Sequence, residues 1–79
     1  MPLPRLHSLD IQTLQLLSEM RSRGHESVGF ERIMRELDME VGRAADSLGK
    51  LEAVGLVAQY GNVYQITQHG LRKAKEGGK

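Results

Sequence analysis

Arg43 and Lys50 are the side chains of this sequence best suited to recognition chemistry. They stand seven residues apart, so on a helix they share a face, two turns from each other. An arginine fork can hold a guanine edge bidentately, while lysine more often holds a phosphate. Ser47 at the flank can bond either, and Asp46 can accept from cytosine or repel a phosphate backbone. Little else suggests chemistry. His7, His25 and His69 are scattered and lack an i, i+4 partner of metal-ligand type. Glu36, Asp38 and Glu40 cluster, but read as solvated helix caps. Activated nucleophiles, phosphate-cradling glycine loops, cofactor signatures and cysteines are all missing from the sequence. No enzyme activity, cofactor or metal is expected.

The elements that carry these residues follow from periodicity. Met1 to His7 holds both prolines and is expected to be a flexible arm. Ser8 is a candidate N-cap, with Asp10 complementing the first-turn dipole, for a helix running to about Ser22 and stopping near Gly24. In that helix Leu9, Leu16 and Met20 share a wedge of about 40°, and Leu17, Leu14 and Ile11 widen the apolar arc to about 220°. A helix lying on one core needs about half of that. Either the domain wraps this helix on most sides, or Ile11 and Leu14 face a second subunit.

Ser27-Val28 can form a very short strand, and Phe30, Ile33, Met34 and Leu37 give a second helix its i, i+3, i+4, i+7 stripe. Asp38-Met39 is a tight break. A third helix is expected over 40–54, with Val41, Ala44, Leu48 and Leu51 inward and Gly55 as its stop. The period then changes to that of strands. Residues 56–60 and 63–67 flank Gly61-Asn62, a two-residue hairpin loop. Thr67 can cap a last helix through about Lys75, ended by Gly77-Gly78. The expectation is one domain over 8–76 with a short tail at 77–79. Its class is mainly α with a small β-hairpin (α+β).

With three aromatics, Phe30, Tyr60 and Tyr64, the core must be largely aliphatic. No apolar run approaches the roughly 20 residues of a membrane span, and no signal-peptide stretch is present, so a cytoplasmic protein is expected. The net charge of +1 recommends no partner by itself. Its distribution is uneven, because residues 26–57 hold four basic against seven acidic groups and residues 58–79 four against one.

Phe30 to Asp38 resembles the first helix and turn of prokaryotic winged helix-turn-helix regulators. Leu48 to Val57 resembles the end of their recognition helix and the next strand. Tyr64-Gln-Ile-Thr-Gln-His-Gly70 resembles the second wing strand entering a helix, as in MarR-like and related proteins. The resemblance covers most of residues 9–75. It implies a three-helix core plus a wing and a short C-terminal helix, with helix 40–54 reading the major groove of double-stranded DNA and hairpin 56–67 beside the backbone. MarR-like proteins carry long terminal helices for dimerisation, which are not expected within these 79 residues.

The residues expected at DNA on this reading are Gly42, Arg43, Asp46, Ser47, Lys50, Tyr60, Asn62, Arg72 and Lys73. Arg5, Arg21, Arg23, Lys75 and Lys79 are further cations that folding could bring alongside. Useful affinity would call for a homodimer, with Ile11 and Leu14 of the first helix as its expected interface, or for tethering to a partner, in a nucleoid-associated transcriptional regulator. The rival is a winged-helix adaptor that binds protein. The acidic middle, the uncharged wing and the small residues of the third helix favour it.

Overall fold

Residues 6–77 are described by a computed structural model. Arg5 and most of the expected arm lie outside the described residues, as do Gly78 and Lys79 of the expected tail. The elements are α1 (Ser8–Ser22), β1 (Val28–Gly29), α2 (Phe30–Leu37), α3 (Val41–Ala53), β2 (Val57–Tyr60), β3 (Val63–Ile66) and α4 (Gln68–Gly77). The class is α+β.

Chain reversals are chemically explicit. After α2, Asp38 takes the left-handed conformation (φ 52°), and the Met39 amide reaches back to the Met34 carbonyl at 3.0 Å. After α3, Gly55 does the same at φ 80°, with the Leu56 amide on the Leu51 carbonyl at 2.9 Å. Both are Schellman closures, which satisfy carbonyls the helix ends would orphan. Three residues, Asp38 to Glu40, therefore separate α2 from α3. Thr67 caps α4 as expected, its Oγ1 accepting from the Gly70 amide at 3.0 Å. The same hydroxyl donates to the Gly55 carbonyl at 2.7 Å, pinning the start of α4 to the end of α3.

The sheet has the order β1-β3-β2, all antiparallel. Val57 pairs with Ile66 and Tyr60 with Val63, closing the hairpin on Gly61-Asn62, and Val28 pairs with Tyr64. The hairpin buries Val57, Tyr64 and Ile66 on its inner face, and Phe30 lies 6.3 Å from Tyr64, ring to ring.

Helix α1 packs against α2, α3, β3 and α4. That is why its apolar arc is so wide. Leu14 is fully buried in the domain's own core, with Leu17 and Met20 beside it. Leu14 therefore cannot face a second subunit, and this corrects the expectation from sequence. Ile11 is half-buried. Three smaller corrections accompany it. Ser8 is the first helical residue and His7 the cap position. Leu6 of the expected arm packs on the core. Val41, expected inside, is 62% exposed, because the core side of α3 begins one turn later at Ala44.

Candidate nucleic-acid interface

Helix α3 presents Gly42, Arg43, Ala45, Asp46, Gly49, Glu52 and Ala53 to solvent. Its buried side consists of Ala44, Ser47, Leu48 and Leu51. Replacing Val41 by Ser47 in the inward set turns the centre of that side by roughly 30°. Arg43 stays exposed on the flank nearer α1. Two of the expected contact residues do not.

Ser47 is only 3% exposed and donates to Asp10 Oδ1 at 2.7 Å. Lys50 is turned the same way, its Nζ 2.9 Å from Asp10 Oδ2 and its side chain 28% exposed. Neither stands ready at the outer surface, which corrects the expected place of Lys50 beside Arg43 on the outward face and of Ser47 as a contact at its flank. The His7 amide also donates to Asp10 Oδ2, at 2.9 Å. One first-turn carboxylate of α1 thus accepts from a helix-start amide, a hydroxyl and an ammonium, tying α1 to α3. Thr13, fully buried, spends its hydroxyl hydrogen on the Leu9 carbonyl at 2.8 Å. Its 3.4 Å approach to Ser47 is then packing, since each hydroxyl has one hydrogen to give.

Burial pushes the Asp10 carboxyl up, but the His7 amide, Lys50 and Ser47 together outweigh it and hold the group below its ordinary range. At the wing, burial, with help from Glu52, pushes the Tyr64 phenol up.

The wing carries Tyr60, 59% exposed, and exposed Asn62, with no charged residue from Val57 to Ile66. Its tip is held, since the Asn62 carbonyl accepts from the Phe30 amide and Gln59 Nε2 donates to the Gly61 carbonyl. Exposed Arg72, Lys73 and Lys75 gather on α4 and line one shallow hollow with His69. Glu76 lines the same hollow, and the helix packs on α1 and β3. Arg23 is paired with Glu19 on the surface, and Arg21 points to the Ile66 carbonyl at 3.5 Å. Among the described residues no cluster of three or more His, Asp or Glu could hold a metal, and no helix is long and apolar enough to cross a membrane.

No protein-family model and no curated protein matches the chain. A solved structure does. A double mutant of ZitR from Lactococcus lactis superposes at a TM-score of 0.73 with 21% identity, over 95% of this chain and 52% of that one. The fold is a winged helix-turn-helix. In its terms α2 and α3 are the helix-turn-helix and β2-β3 is the wing. The chain spans about half the length of ZitR.

The winged helix requires neither Gly42 nor Gly49. A Cβ at either would meet nothing within 4 Å, although glycine in a helix interior costs about 1 kcal/mol against alanine. Gly49→Ala is therefore expected to raise stability by about 0.5–1 kcal/mol in urea denaturation. If a binding partner approaches α3 closely, the same change will weaken that complex. A loss of stability would mean that the backbone at position 49 serves the fold after all.

Proposed function

We propose that this domain binds double-stranded DNA as the reading module of a transcriptional regulator, with α3 in the major groove. The observation that carries this reading is the outer face of α3 in a winged helix. Arg43 stands exposed in its first turns, and Gly42, Ala45, Gly49 and Ala53 leave that face low enough for close approach to base edges. The first turns of a recognition helix are those that reach the bases. Tyr60 and Asn62, exposed on the wing, would bond sugar or phosphate, and Asp46 can accept from cytosine. Arg72 and Lys73 would supply backbone charge.

With so few phosphate contacts, the affinity of one copy should be modest and its salt dependence shallow, at about 0.9 in log–log slope per contact. A two-fold dimer would place its recognition helices about 34 Å apart on successive major grooves. With Leu14 inside the core, such a dimer would have to use other surface.

Arg43→Ala is expected to weaken binding to the preferred site by roughly 5- to 150-fold, the worth of one bidentate guanine contact. The loss on mixed-sequence duplex should be much smaller. Fluorescence anisotropy on a site selected from a random pool measures both. Equal losses would make Arg43 a phosphate contact, and no binding by the unaltered protein at low salt would remove the DNA reading.

One observation favours the adaptor reading. With Lys50 held by Asp10, the exposed charges of α3 are Arg43 against Asp46 and Glu52. A protein partner captured on that face, with no response to duplex DNA, would decide for the adaptor.

A further inference from the structure

We propose that Asp10 withholds Lys50 from DNA, so that this one buried carboxylate sets the cationic charge available on the reading surface. The inference rests on the DNA-binding reading. Lys50 lies on the same flank of α3 as Arg43, and both line one surface hollow with His7, Leu9, Asp10, Asp46 and Ser47. An ammonium there, if free, would be available to a phosphate beside the groove that Arg43 enters. It is not free. Its Nζ stands 2.9 Å from a carboxylate whose side chain is 4% exposed.

The carboxylate is already bonded to the His7 amide and the Ser47 hydroxyl, so its oxygens have partners without the lysine. It still needs a counter-charge, and Lys50 is its only ion-pair partner among the described residues. Stripping a buried carboxylate of its ion pair costs more than one solvent-exposed phosphate contact returns. Lys50 therefore stays on Asp10 when the domain binds. A neutral side chain at position 10 removes the hold, and Lys50 becomes one additional phosphate-binding cation.

A merely structural role for Asp10 would make its loss weaken binding. The present inference gives the opposite sign. Duplex affinity can be measured by anisotropy at several salt concentrations for the unaltered protein, Asp10→Asn, Lys50→Gln and the double variant. Asp10→Asn is expected to bind mixed-sequence duplex about three- to tenfold more tightly at low salt, with the slope steeper by about 0.9. Lys50→Gln alone should change affinity less than twofold and leave the slope unaltered. In the Asp10→Asn background the same change should abolish the gain. This comparison cancels the general effect of removing one charge.

A folded Asp10→Asn protein with unaltered slope would overturn the inference. So would a loss of affinity and slope in Lys50→Gln alone, which would show that Lys50 already reaches DNA. In either case binding by the unaltered protein leaves the DNA reading standing. Binding by none of the four overturns both. Circular dichroism verifies the fold, and Asp10→Ser, a smaller neutral residue, serves if Asp10→Asn does not fold.

Discussion

Gly70→Ala is expected to lower stability by about 3 kcal/mol, the upper end of what overpacking costs. For a domain of this size that is a fall of roughly 10–25 °C in Tm. Gly70 is buried in the first turn of α4, where the helix crosses the segment that leaves α3. A Cβ there would run into the backbone carbonyl oxygen of Leu56 and come within 2.7 Å of Ile66 Cγ1. The Ile66 side chain could yield, but the carbonyl cannot move freely. It accepts from the Thr67 amide at 3.0 Å, while Thr67 Oγ1 holds both the Gly55 carbonyl and the Gly70 amide. Relieving the clash therefore means lifting α4 off the hairpin and breaking a cap together with its clasp. The helix-propensity gain of alanine, at most about 1 kcal/mol, cannot compensate. Thermal unfolding followed by circular dichroism measures this directly, with Gly49→Ala as the contrasting substitution. A Gly70→Ala protein as stable as the original would mean that α4 does not dock as closely as described.

That pair of glycines shows what could be read in the chain and what could not. Helix and strand periodicity placed the elements to within a residue or two, since amphipathic stripes and turn residues are local signals. Gly55 could be read as a helix stop because the left-handed conformation it supplies is local chemistry. Gly70 could not, because its reason is a carbonyl fourteen residues earlier that only the fold brings near. Asp10 failed differently. At 100° per residue it lies between Leu17 and Leu14, in the middle of the apolar arc of α1, so its burial was visible in principle. A first-turn acid has a ready explanation in the helix dipole, however, and that explanation conceals the tertiary one. Ser47 and Lys50, spaced three apart on α3, are the complement of Asp10. Their pairing became visible only when the two helices met. On α3 an inward Val41 is enough to turn the expected outer face by roughly 30° and bring Lys50 onto it.

Acid should test the same cluster. Asp10 is ionised in the native state and bound by the His7 amide, Lys50 and Ser47, so its carboxyl is held below the ordinary range. In the unfolded chain it titrates near the usual aspartate value of about 3.9. An acid whose folded pKa is depressed stabilises the native state fully above the unfolded value. That contribution disappears as the pH falls through the folded one. At pH 7 Asp10→Asn should cost about 2 kcal/mol, because asparagine keeps a hydrogen-bonding shape while Lys50 loses its counter-charge. Lys50 is partly exposed and can turn to water, which keeps the cost below that of a fully buried broken pair. As the pH is lowered from about 5 towards 2, the unaltered protein should lose stability more steeply than the variant, and the gap should narrow. Urea denaturation at stepped pH values reads this as two converging curves. Parallel curves would mean that Asp10 contributes the same in both protonation states, leaving its bonds to Ser47 and Lys50 without consequence for folding.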